Sequence, residues 1–443
     1  MRPPLSLSDI TGTFFVPGTT KPMSAHPPAI AAQQVEQYLL GHQPILDRKL
    51  NLHAFELSFT FAGEDAASGD MLAAAASLIN AVLYNPDVGC ALGPYKGFID
   101  IDENLLASDI VQSLPADRIG MRVTASSSEH TAQQCRELKA RGFELSLEGY
   151  SATNERHNAL LEFVDHVAID VRHGEKENLR SLVRHLRRWP VKLLAKNVEE
   201  HSEVAYCLEL GIDLFQGYFF AKPRIIPGKH LLHSELSLLK LLGLVNADAD
   251  PAVIENVLKE DPSLAMDLLR VTNSAASGIP HRVTSLSQAI IVLGRRQLER
   301  WLQLLLFSRL APQSAFPSPL LQLAATRSRF MELVALALAP RDKTLADRAF
   351  LAGVISLMDA LFGQPLAKVI EHLYIPLDVR VAVLERQGML GKLLRLAEQL
   401  ERGGDDQLFR KLYSDIPDLD LHAISEAHIL ALTWANSLGS ETP

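Results

Sequence analysis

The side chains of this chain best suited to redox or metal chemistry are its thiols and imidazoles, and their spacing argues against both. Cys90, Cys135 and Cys207 lie far apart, with no C-x-x-C pair to chelate a metal or cycle as a dithiol. They read as small buried hydrophobes in a reducing compartment. His230, His233 and His281 are clustered in sequence only and read as surface or interface histidines. No glycine-rich loop offers an anion cradle. Any chemistry therefore has to be assembled by the fold from residues distant in sequence, which turns attention to the elements that would position them.

The first half alternates. Gln43–Leu57 reads as a hairpin, with strands at Pro44–Asp47 and Leu50–Leu57 around the polar turn Asp47-Arg48-Lys49. Strand-like runs recur at Gly97–Ile101, Arg118–Val123, Phe143–Leu147, His166–Val171 and Val191–Ala195. Helical patterns lie between them at Ala73–Leu83, His130–Ala140, Glu155–Phe163, Asn178–Arg188 and Glu200–Leu210. Such alternation predicts βαβ units and a mostly parallel sheet, as a barrel or a doubly wound sheet; periodicity does not separate the two.

The second half is helical throughout. His230–Val245 carries leucines at helical spacing, and Asp250-Pro251 and Asp261-Pro262 each offer an N-cap followed by proline at the first helical position. Ser285-Leu286-Ser287-Gln288 forms a capping box before Ala289–Leu293, and Gly294 fits a C-terminal stop before Arg295–Leu310. Further helices are predicted at Pro319–Leu338, Leu345–Leu361, Pro365–Ile370, Leu377–Glu385, Gly388–Glu401 and Ile424–Leu438.

Composition bounds the function. A chain of 443 residues with 47% hydrophobic content holds two or three folded domains. Its net charge of −9 disfavours an extended nucleic-acid surface. The longest uncharged apolar run of the second half, Leu333–Pro340, is too short to span a bilayer, and the N-terminus lacks the apolar core of a secretory signal. A cytoplasmic protein without membrane insertion is expected. Residues 1–35, rich in Pro, Ser and Thr, read as a mobile tail, in which Met23 opens a second candidate translation start.

The two halves meet at Leu214–Pro223, L-F-Q-G-Y-F-F-A-K-P: a last strand, a close-approach glycine, an aromatic run and a proline stop. This stretch is similar to the end of EAL domains, barrels that in active members hydrolyse cyclic di-GMP. The segments D-P-S-L-A-M-D-L-L-R-V-T-N-S and T-S-L-S-Q-A-I-I-V-L-G resemble the HDOD domain, an all-helical relative of HD phosphohydrolases. The chain thus resembles the bacterial EAL–HDOD signalling proteins. The resemblance implies a compact TIM-type barrel over residues 36–227 and an all-helical HDOD domain over 228–443.

Active EAL enzymes hold two divalent cations, and the resemblance places their ligands on this chain residue by residue. The naming Glu is Glu56, but the Arg four positions on is Thr60. The next motif's Asn is Asp100, and the following Glu is Arg122. The Asp-Asp-Phe-Gly signature maps onto Leu147-Glu148-Gly149-Tyr150, leaving Glu148. The Lys of K-x-D is Ala168 with Asp170 kept, and the Glu of A-E-G-V-E is Lys196 with Glu199 kept. Gln216 belongs to the terminal motif. Arg122 and Lys196 would put cations where two metals need anions. The retained acids then read as solvated strand-end carboxylates or ion-pair partners of these two cations.

The helical half contains no His-Asp dipeptide; where HD enzymes carry it, this chain has Ser356-Leu357, and Asp359 reads as a capping or ion-pair residue. The expectation is therefore a chain that is not an enzyme, needs no metal or cofactor, and acts on protein partners of a bacterial signalling pathway. Cyclic di-GMP reception by the barrel is the alternative, and residual phosphodiesterase activity a further one. The loop at Val271–Arg282, with Asn273, Ser274, His281 and Arg282, is the candidate partner-binding rim.

Overall fold

β-Branched and aromatic runs separated by amphipathic stretches close here into a barrel. The computed structural model describes residues 38–61, 92–101, 111, 114–125, 129–172, 176–223, 233–273, 283, 285–310, 318–371, 373, 375–402 and 406–440. Eight strands, β1 Tyr38–Leu46, β2 Leu52–Phe61, β3 Lys96–Ile101, β4 Ile119–Thr124, β5 Glu144–Glu148, β6 His166–Asp170, β7 Lys192–Lys196 and β8 Leu214–Gln216, pair in sequence order and close on themselves. Of the two sheet types that alternation left open, the chain forms the barrel. β1 runs antiparallel to both its neighbours, β2 and β8, while the other pairs are parallel. β1 begins well before the predicted Pro44, because its first residues continue the ladder with β2 from Tyr38 opposite Phe61.

Helices α1 Glu129–Ala140, α2 Glu155–Leu160, α3 Lys176–Leu186 and α4 His201–Glu209 follow β4 to β7. The helix expected at Ala73–Leu83, the tail 1–35 with Met23, and the join at 224–229 lie outside the described residues.

Because side chains alternate along a strand, the barrel interior is built in layers. Lys96, Glu144, His166 and Lys192 open their strands at the N-terminal end. Ile45, Ala54, Phe98, Ala168, Leu194 and Leu214 form an apolar middle layer. Phe98 fits there because Gly120 on the neighbouring strand has no Cβ to meet its ring. Glu56, Asp100, Arg122, Glu148, Asp170, Lys196 and Gln216 continue those strands towards the C-terminal mouth.

A short 3-10 turn, Tyr218–Ala221, leads out of the barrel. The helical half follows as α5 His233–Asn246, α6 Pro251–Glu260, α7 Pro262–Thr272, α8 Leu286–Leu310, α9 Pro319–Leu338, α10 Lys343–Ile355, α11 Met358–Phe362, α12 Leu366–Ile370, α13 Leu377–Glu385, α14 Gly388–Arg402, α15 Asp406–Ser414 and α16 Leu421–Ser440. The predicted caps are made: Asp250 accepts from the Ala252 amide at 2.8 Å, Asp261 from Leu264 at 3.2 Å and Ser285 from Gln288 at 3.2 Å. Gly294, at φ 70°, breaks α8 as expected. The single helix predicted over Leu345–Leu361 is instead two, α10 and α11, parted at Ser356-Leu357, where the Ser356 hydroxyl bonds back to the Gly353 carbonyl at 2.7 Å.

The two halves pack against each other. Ile429 and Leu432 of α16 join the apolar cluster of the barrel, and Ala221 joins that of the helices. Among the described residues no helix is long and apolar enough to cross a membrane.

Candidate functional site at the barrel mouth

The mouth is organised by Arg122. Its side chain is 3% exposed and meets three carboxylates: Glu56 at 2.5 Å, Glu148 at 3.2 Å and Asp100 in a short contact. Lys196 lies beside it, 2.7 Å from Glu148 and 3.7 Å from Glu56. Gln216 donates to Glu56 and, at 2.7 Å, to Gln43. Burial alone would raise the Glu56 carboxyl; hydrogen bonding and charge from Arg122, supported by Lys196 and Gln216, hold it below its ordinary range. Burial works against the Arg122 charge too, and Glu56 and Asp100 overcome it, raising the guanidinium further.

Asp170 is a second focus. Arg172 embraces it at 2.8 and 3.2 Å, and Asn197, in the left-handed region at φ 58°, donates to it at 2.9 Å. Glu199 pairs with Lys222 at 2.9 Å, and that hydrogen bond lowers its carboxyl. Ala168 is buried in the middle layer, so it presents no group to the mouth. Thr60 lies in β2, near its end.

Glu56, Asp100, Arg122, Glu148 and Lys196, all named from the sequence, come together here, in a register that pairs Asp100 with Arg122 and Thr124 with Glu148. Sequence reasoning missed Arg172, Asn197, Lys222 and the contribution of the helical half. Arg172 follows Asp170 by two residues, a spacing visible in the sequence, but nothing there indicated that α14 would reach the barrel.

A cavity of about 490 Å³ opens between the β6–β8 side of the mouth and the helical half. Phe55, Arg172, Tyr218 and Lys222 line it from the barrel, Gln322 and Arg402 from the helices. The Arg402 guanidinium lies 4.9 Å over the Tyr218 ring. Cations and aromatic faces together suit an anionic ligand that carries planar rings.

Divalent ions do not fit between Glu56, Asp100 and Glu148 with Arg122 in this position, since the guanidinium occupies the point on which the three carboxylates converge.

In the helical half, Arg327 of α9 is 1% exposed and donates to Glu401 of α14 at 2.7 Å, to Ser356 at 2.7 Å, and to Tyr218 of the barrel. Asp359 accepts from the Ala360 amide at 2.8 Å at the start of α11. Asn273 clamps two segments: it donates to the carbonyls of Leu269 and Val283 at 2.7 and 2.8 Å and accepts from the Val283 amide at 2.7 Å. Ser274, His281, Arg282 and His230 lie outside the described residues.

A family model for the EAL domain matches residues 100–223, and one for the HDOD domain matches residues 236–365. The protein YuxH of Bacillus subtilis is 26% identical over 412 residues, covering 90% of this chain and 98% of its own length. The cyclic di-GMP phosphodiesterase CdgJ of Vibrio cholerae is 28% identical over 396 residues, covering 86% of this chain and 89% of its own. The crystal structure of an EAL domain protein from Listeria monocytogenes covers 44% of this chain and 94% of its own, at 18% identity and a TM-score of 0.34.

CdgJ corrects the expectation that this chain is not an enzyme. A relative that matches across both halves is a phosphodiesterase. That expectation rested on the two inverted charges, Arg122 and Lys196; Glu56, Asp100, Glu148, Asp170 and Glu199 remain on the mouth-side strand ends and the loops beyond them.

Proposed function

An EAL domain followed by an HDOD domain makes this chain a member of the EAL–HDOD family, and we propose that it works in cyclic di-GMP signalling, with the cavity at the barrel mouth as its dinucleotide site. The observation that carries the reading is the mixed lining of that cavity. Arg172, Lys222 and Arg402 offer charge for phosphodiester groups, while Tyr218 and Phe220, both partly exposed, offer faces for purines. The volume of about 490 Å³ lies in the range of small-molecule sites. Because both halves line it, a ligand there touches barrel and helices together, and the helical half then presents its state to protein partners.

Isothermal titration of the full chain with cyclic di-GMP tests this. Binding is expected, and Arg172→Ala and Arg402→Ala should each weaken it by about tenfold or more. No heat of binding, or equal affinity in both variants, would reject the site.

A second reading, favoured by the CdgJ match, is that the chain hydrolyses the same ligand. Following cyclic di-GMP with Mg²⁺ or Mn²⁺ present separates the two: linear product supports hydrolysis, and binding with no product restricts the site to reception.

A further inference from the structure

The opposite end of the barrel carries a second cluster that none of this uses. His53, Glu144 and His166 offer ligand atoms that all lie within 4.8 Å of one another. They come from β2, β5 and β6, and β2 stands four strands away from β6 across the closed barrel. His53 reaches the interior because the ladder slips there. Ile45 pairs with Ala54 and Leu46 with Leu52, so His53 is the extra residue of a bulge, a device that re-aims a side chain. Both imidazoles line an internal cavity of about 10 Å³, with ring centroids 6.3 Å apart.

We propose that His53, Glu144 and His166 form a binding site for Zn²⁺ or a similar borderline divalent cation at the N-terminal end of the barrel, with a fourth position open to water. Two imidazole nitrogens and one carboxylate are the donor set such ions take. The Nε2 of His166, 2% exposed, makes no hydrogen bond and faces the Glu144 Oε1 at 3.3 Å, close to the separation of two ligands on one tetrahedral ion. The other oxygen of Glu144 is held by Lys96 at 2.9 Å, as an outer partner that orients a ligand. Burial keeps both imidazoles neutral, which leaves their lone pairs available: His53 is lowered, and His166 falls to about 4. Lys96 and Lys192 oppose a cation here, while Glu144, Asp47 and Asp165 favour one. The site departs from the sequence-based expectation of no metal, and it does not depend on the mouth or its ligand.

The test titrates Zn²⁺ into chelator-treated full-length protein and counts bound metal by native mass spectrometry. Uptake of about one tightly held Zn²⁺ per chain is expected, with a rise in the unfolding temperature. Co²⁺ in its place should give the visible absorption of a tetrahedral N/O site. His53→Gln and Glu144→Gln, at half-buried positions that tolerate change better than His166, should each lower Zn²⁺ affinity by about tenfold or more with unchanged circular dichroism. No Zn²⁺ uptake, or unchanged affinity in either variant, would overturn the proposal.

Discussion

Arg122 and Arg327 are the same chemistry in two settings. Each is a buried guanidinium joined to a carboxylate: Arg122 to Glu56 at the barrel mouth, Arg327 to Glu401 in the helical half. They differ in what surrounds them. Two of the three partners of Arg122 open towards solvent, Asp100 being 65% and Glu148 37% exposed, while Glu56 is 13% exposed. Glu401 is 6% exposed, so both members of the Arg327 pair are buried. A buried trio of Arg327 from α9, Glu401 from α14 and Tyr218 from the turn after β8 is a weld between the halves. A cluster open to water on one side can exchange partners. The contrast teaches that burial of the partners, more than the arginine itself, decides whether the pair is structural.

The largest effect should follow from breaking the weld. Arg327→Leu leaves Glu401 buried and unpaired and is expected to cost about 3–5 kcal/mol in urea unfolding. Removing both charges, as Arg327→Leu with Glu401→Leu, should recover much of that loss. A single-variant cost below about 1 kcal/mol would break the comparison, because the buried pair would then behave like a surface one.

Gly217 joins the two settings, since Gln216 bonds to Glu56 and Tyr218 to Arg327. It sits at φ 150°, and an added Cβ would run into the backbone of Val198. Gly217→Ala should destabilise by about 1–3 kcal/mol and disturb both sites together. Chemical shifts at only one of the two would show that they are not mechanically linked through this residue.

Arg122→Met should cost less, about 1–2 kcal/mol, because Lys196 stays beside Glu56 and Glu148 and water reaches Asp100 and Glu148. It should also create weak Mn²⁺ binding at the mouth, read by calorimetry, where the wild type is expected to bind none among Glu56, Asp100 and Glu148. If Mn²⁺ binds wild type and variant alike, Arg122 does not control the site.

The smallest effect is in pH. The Glu56 carboxyl lies below its ordinary value in the folded protein. The unfolded chain therefore binds more protons on the acid side, and stability is fully present above about pH 4.5 and lost as the pH falls through the folded value. Arg122→Met should flatten this acid limb. An equally steep acid limb in that variant would show that Arg122 is not what holds Glu56 ionised.

Local sequence determined a great deal. Periodicity gave β3 to β8 nearly to the residue, because each is an apolar run bounded by turn formers. The caps at Asp250, Asp261 and Ser285 and the break at Gly294 were readable because they are interactions between residues two to four apart. The convergence of Glu56, Asp100, Glu148 and Lys196 was legible only through the family motifs, since no local rule relates strands so far apart. Tertiary structure alone decided the rest. A barrel rather than an open sheet depends on β1 closing against β8. At the split, Ser356 accepts a hydrogen bond from Arg327, 29 residues away, a contact that no local pattern announces. The cluster of His53, Glu144 and His166 depends on a one-residue bulge and on closure across the barrel. The sequence scan weighed His230, His233 and His281 and passed over His53 and His166, because metal ligands are chosen by distance in space and the chain records only distance along itself.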